Sequence, residues 1–176
     1  PPPSQEIKSN YMAEIEELLH NEGSLQMLPR EDCKGLGAVN TLNCASSASS
    51  PADYEYGAFF DVVSTSNYPL LVTHIFGSSL SGTQQVTVHA CKWGTCSKSA
   101  TSAGYWKQVG GASFREKSAS EVALDPAVLI RPGSTQGFHL HSDGSYLSLS
   151  SPWAGAKDRN VKIEAHGHCN SGALFS

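Results

Sequence analysis

The stretch Phe138-His139-Leu140-His141-Ser142-Asp143-Gly144-Ser145-Tyr146-Leu147-Ser148-Leu149 decides the fold class. Apolar and polar residues alternate on both sides of Asp143-Gly144, and a period of two is the mark of a strand with two unlike faces. Asp-Gly is a favoured pair for a two-residue type I′ loop, in which both central residues need positive φ. Such a loop sets His141 opposite Tyr146, Leu140 opposite Leu147, His139 opposite Ser148 and Phe138 opposite Leu149. Phe138, Leu140, Leu147 and Leu149 then share the core face. His139, His141, Tyr146 and Ser148 take the other, which is expected to meet solvent.

The same pattern extends outward from this hairpin. After position 51 the apolar residues fall in short β-rich runs separated by turn residues, at 57–65, 70–76, 85–91, 105–110, 121–124, 135–141, 145–150 and 160–166. The separators are Asn67-Tyr68-Pro69, the 77–82 stretch, Gly110-Gly111, Asp125-Pro126, Pro132-Gly133 and Asp143-Gly144. These runs predict an all-β domain, an antiparallel β-sandwich or jelly roll of about eight strands. The composition agrees: charged residues are 16% of the 176, and glycine and serine are abundant.

Upstream the pattern changes. Ala45-Ser46-Ser47-Ala48-Ser49-Ser50-Pro51 is small, polar and proline-terminated, a linker composition. Before it, Ile7, Met12, Ile15, Leu18 and Leu19 recur near helical spacing among Glu14, Glu16 and Glu17. One amphipathic helix over 4–20 accounts for them, and its apolar stripe needs something to pack on. The expected organisation is therefore a helical, irregular docking arm over 1–50 and a β-sandwich over 51–176. Ile7, Met12, Ile15 and Leu19 are the arm's contact residues, against either the sandwich or another protein. Pro1-Pro2-Pro3, without an initiating methionine or a leader-like start, reads as a mature or trimmed chain.

The formal net charge of −4 and the dispersal of the basic residues argue against a nucleic-acid surface, and no apolar run is long enough for a membrane span. Five cysteines stand as two local pairs, Cys33 with Cys44 and Cys91 with Cys96, plus Cys169. Neither pair has zinc-knuckle spacing. Cys91-Lys92-Trp93-Gly94-Thr95-Cys96 reads as a strand end, a turn and a return that a disulfide can close, and each bridge would contribute roughly 2–3 kcal/mol. Disulfides imply an oxidising compartment, extracellular or an organellar lumen; inert thiols in a reducing compartment are the alternative.

For chemistry the chain offers two alternating imidazole pairs, His139 with His141 and His166 with His168, weak candidates for a Zn²⁺ or Cu²⁺ site. Solvated strand histidines are the plainer reading. No Gly-x-Ser-x-Gly elbow exists, and Asp61, a lone acid between Phe60 and Val62, reads as structural. No catalytic group is assigned and no cofactor is expected. Binding is better represented: Trp93 stands at a hairpin tip, Trp153 follows Pro152 in a loop, and Tyr146 lies on the outer face of the expected hairpin. Trp106 alternates with its neighbours as a core residue.

Gly57-Ala58-Phe59-Phe60-Asp61-Val62, Thr87-Val88-His89, Trp106, the run Pro132-Gly133-Ser134-Thr135-Gln136-Gly137-Phe138-His139-Leu140, and Asn160-Val161-Lys162-Ile163 with Gly167 carry a resemblance. They are similar to a β-sandwich, jelly-roll module common in marine microbial and algal proteins, and the arrangement also resembles the PHR-type sandwich attached to some ubiquitin-ligase and adaptor proteins. Cys91, Cys96 and the 1–45 extension fall outside that pattern. The resemblance implies a binding or assembly unit without a shared catalytic site. The expectation that follows is a non-catalytic accessory subunit docked by its arm and sandwich onto a larger, membrane-associated complex, in an alga on the thylakoid-lumenal side. The alternatives are a secreted carbohydrate- or ligand-binding module using Trp93, Trp153 and Tyr146, and a metal-dependent enzyme built on the histidine pairs.

Overall fold

A computed structural model describes residues 26–28, 56–79, 81–95, 102–144 and 159–169, with 26–28 and 165–169 described as backbone alone. It is nearly all antiparallel β. The strands are β1 (Gln26–Leu28), β2 (Gly57–Ser64), β3 (Leu70–Gly77), β4 (Gln84–Cys91), β5 (Trp106–Phe114), β6 (Ser120–Ile130), β7 (Thr135–Ser142) and β8 (Val161–Cys169). One 3-10 turn, Ala103–Tyr105, precedes β5 and is the only helical turn among the described residues. The expected helix over 4–20 and the linker over 45–51 lie outside them.

The strands form one curled sheet in the order β1-β6-β5-β4-β7-β2-β8, with β3 on the other edge of β6. β5 and β6 meet at the single registered pair Gly110–Leu124. Beyond that pair β6 bends over the rest of the sheet. Its Val122, Leu124, Val128 and Ile130 share one core with Val86 and Val88 of β4, Phe60 and Val62 of β2, and Phe138 and Leu140 of β7. Alternation explains the set, because even positions of β6, β4 and β7 all point into the curl.

Two expected separators are strand interior. Gly110-Gly111 lies within β5, and Asp125-Pro126, joined by a cis peptide, lies within β6. Gly110 is a strand residue because of its neighbours: a Cβ there would stand 2.7 Å from Val122 Cγ1 and 2.9 Å from the Ala123 carbonyl oxygen. Glycine is what lets β5 and β6 approach at the bend. By contrast Pro132-Gly133 does turn the chain, with Gly133 at φ +67° and the Ser134 amide and hydroxyl both donating to the Arg131 carbonyl.

The hairpin expected after β7 is overturned. β2 pairs with β7 from Gly57–His141 to Val63–Thr135, and β4 pairs with its other edge from Val86–Ser142 to Ala90–Phe138. Both edges of Phe138–His141 are thus occupied, and residues 145–149 are not the partner. Asp143 serves the β4 ladder instead: its amide donates to the Gln85 carbonyl at 3.1 Å and its Oδ1 accepts from the Gln85 amide at 3.0 Å. Local turn preference is worth little against two long ladders on a strand buried on both sides.

Gly110→Ala should therefore cost about 1–3 kcal/mol, as overpacking in a fixed core does. Urea denaturation of the two chains measures it, and a loss under about half a kcal/mol would mean that β5 and β6 are not held in close approach.

Candidate functional site

Strand parity builds the site. With Phe138 and Leu140 in the apolar core, Gly137, His139 and His141 emerge on the opposite face of β7. Directly across from His139 stand His89 on β4 and Phe59 on β2; across from His141 stand Thr87 and Gly57. Farther along the same face Cys91 pairs with Trp106 of β5, and Asp61 lies two residues beyond Phe59. One face of the sheet thereby gathers three imidazoles, two aromatic rings, a carboxylate and a cysteine.

The rings form a packed layer. His139 stacks on Phe59 with centroids 4.1 Å apart and 14° between planes. Trp106 and His89 each lie 5.7 Å from it, and His141 lies 5.8 Å away, edge-on. Phe59 and Trp106, 5.6 Å apart, join Cys91 in a small second core against which Tyr56 packs. His139 is 0% exposed and His141 9%. The expectation that these two imidazoles face solvent is wrong: β7 is an inner strand with packing on both sides, so its polar face is a buried face.

Burial sets the charge state. It pushes His139 down to about 3, with His89 and His141 adding repulsion, and pushes His89 down to about 4, with His141 as the second cause. Both are neutral at pH 7. Asp61, also buried, accepts a hydrogen bond from Thr95 Oγ1 at 2.5 Å. It sits on β2, an inner strand between β7 and β8. The buried Gln136 amide donates to the carbonyls of Cys91 at 2.8 Å and Gly137 at 3.0 Å, tying the end of β4 to β7.

β2 lies between β7 and β8, and His168 is registered on Ala58, whose β7 neighbour is Leu140 rather than a histidine. The side chains of His166 and His168 lie outside the described residues. Among the described residues no group of three or more His, Cys, Asp or Glu is placed to hold a metal ion. Cys91 is disulfide-bonded. Cys33, Cys44 and Cys96 lie outside the described residues, as do Tyr146, Trp153 and the arm residues Ile7, Met12, Ile15 and Leu19.

Trp93 is described, and it is 61% exposed on the turn after β4. Tyr105, 42% exposed, stands beside that turn: the Lys92 amide donates to the Tyr105 carbonyl and Lys92 Nζ to the Gly104 carbonyl, both at 2.8 Å. Sequence reasoning set Tyr105 opposite the buried Trp106 without naming it as a contact group, and it missed His89 as a member of the layer. The signal for His89 was present, since Val86, Val88 and Ala90 as core residues send Thr87, His89 and Cys91 to the other face. No family model, curated protein or solved structure matches the chain.

Acid should destabilise this layer. An unfolded chain protonates each imidazole near 6.5, whereas folded His89 and His139 do so only near 4 and 3. Between those values the unfolded state binds more protons, so stability is full above the unfolded value, falls as pH drops through it, and levels off below the folded values. Two such groups give a loss of about 2–3 kcal/mol between pH 6 and pH 5 in urea denaturation at unchanged m-value. His89→Gln should roughly halve that slope. A pH-independent stability over this interval would mean that the two imidazoles are not held neutral.

Proposed function

We propose that the chain is a non-catalytic accessory or assembly subunit, a β-sandwich of jelly-roll type that docks onto a larger protein complex. The observation that carries this reading is the aromatic end of the sheet, where Trp93 and Tyr105 stand exposed on backbone fastened through Lys92. Exposed tryptophan and tyrosine on a fixed frame are the residue types that dominate interface energetics, because they bring large area at low ordering cost. The titratable groups that the fold collects, Asp61, His89, His139 and His141, are by contrast sealed away from any substrate. An N-terminal arm with Ile7, Met12, Ile15 and Leu19 is a second contact in this reading, and a lumenal or extracellular oxidising compartment is its setting. The disulfide at Cys91 supports that setting. In an alga, the thylakoid-lumenal side of a photosynthetic complex remains the expectation drawn from the family resemblance alone.

The same exposed pair favours one other reading, a secreted module that stacks Trp93 and Tyr105 on sugar rings. Native co-purification separates the two. Replacing Trp93 and Tyr105 by Ala should reduce recovery of the chain with its complex by tenfold or more while thermal stability is unchanged. Undiminished recovery would remove the aromatic end from the interface. Glycan-induced quenching of Trp93 fluorescence, with no protein partner retained, would establish the carbohydrate reading instead.

A further inference from the structure

We propose that the layer of His89, His139 and His141 packed with Phe59 and Trp106 is an acid-released latch, which opens that face of the sheet locally while the apolar core behind it stays closed. The proposal is independent of the docking reading. Its basis is an asymmetry between the two faces of the same inner strands. The core on one side of β2, β4 and β7 is built of Phe60, Val62, Val86, Val88, Phe138 and Leu140 and contains no titratable side chain. The other side holds three imidazoles with centroids less than 6 Å from their neighbours.

Among the described residues, the charged and titratable groups that border this layer come from four strands. From β2 the layer faces Asp61, engaged by Thr95, and Tyr56 packs at its border. From β4 it faces His89 and the disulfide-bonded Cys91; β5 contributes Trp106, and Lys107 points the other way, exposed. From β8, Glu164 is registered beside Asp61 and is bound by Lys162 Nζ at 2.6 Å. Among the described residues Asp61 is the one buried carboxylate on this face. A second proton places two like charges roughly 6 Å apart in a poorly solvated layer, where repulsion is strong and water entry relieves it. Opening exposes Phe59 and Trp106, so the chain presents an aromatic surface in acid that it conceals at neutral pH.

Trp106 reports the event directly, since its ring lies 5.7 Å from His139. In the full chain carrying Trp93→Phe and Trp153→Phe, Trp106 emission, dye binding to apolar surface and far-UV circular dichroism are followed from pH 7.5 to pH 4. The expected result is a shift in Trp106 emission and a several-fold rise in dye binding, both complete before the β signal is lost. His139→Phe, which preserves the stack on Phe59, should move that transition down by about one pH unit or abolish it. If that variant does not fold, His89→Gln at the side of the layer provides the same comparison. A single midpoint shared by all three signals, a silent Trp106 down to pH 4, or a transition unmoved in the folded variant would each overturn the latch.

Discussion

Everything in this sheet is organised by the position of β7, which has a strand on each edge and packing on each face. β2 and β4 take its two hydrogen-bonding edges, so its backbone is satisfied without water. Its side chains must then find partners inside the protein, odd and even positions alike. Phe138 and Leu140 meet this demand by joining the apolar core. His139 meets it by stacking on Phe59 and His141 by packing edge-on against His139, which is possible because a neutral imidazole is flat, weakly polar and close in shape to a small aromatic ring. The strand is buried twice over, by two different kinds of chemistry.

Those two chemistries respond differently to conditions. The apolar core depends on area removed from water and is indifferent to pH. The imidazole layer depends on the absence of a proton. A phenylalanine at His139 would give comparable packing without that condition, so the histidine makes the layer's stability contingent on pH in a way that its shape does not require. The contingency reaches beyond a single residue because His89, His139 and His141 raise one another's cost of ionisation. Asp61 lies on the same face, registered on Gly137, two residues before His139.

How much of this could be read from the amino acids follows from the range of the interactions concerned. Strands β2, β3, β4 and β7 begin and end within a residue or two of their expected bounds, because β-branched alternation and flanking turn residues are local signals. Trp106 as a buried residue and Pro132-Gly133 as a turn were legible for the same reason. Gly110-Gly111 and Asp125-Pro126 were misread as boundaries. Their role is set by a strand arriving from elsewhere, Val122 against Gly110 in the first case, and no local window contains it. Asp143-Gly144 failed most instructively: the alternation around His139 correctly sorted the residues into two faces, yet nothing in it could say that both faces are dry. Wetness depends on how many layers the strand has above and below it. His89 belongs to the site by parity with Val86 and Val88, but only the β4–β7 register puts it beside His139.

The exposed aromatic end and the buried imidazole layer are joined by the short segment after β4. Gly94, at φ +80°, turns the chain so that its carbonyl accepts from the Gly137 amide of β7 at 2.8 Å. Thr95, the next residue, donates to Asp61 of β2. Just before them the Cys91 carbonyl accepts from Gln136 and the Lys92 amide donates to Tyr105. Trp93 therefore projects from a turn pinned on both sides, to the 3-10 turn before β5 at Lys92 and to the two inner strands at Gly94 and Thr95. An indole carried on such backbone loses little freedom when a partner covers it, which is what makes an exposed ring energetically useful. It follows that the pins are shared: Gly137 and Asp61 lie on the same face as His139, so the geometry with which Trp93 meets a partner is set by strands whose other task is to keep three imidazoles dry.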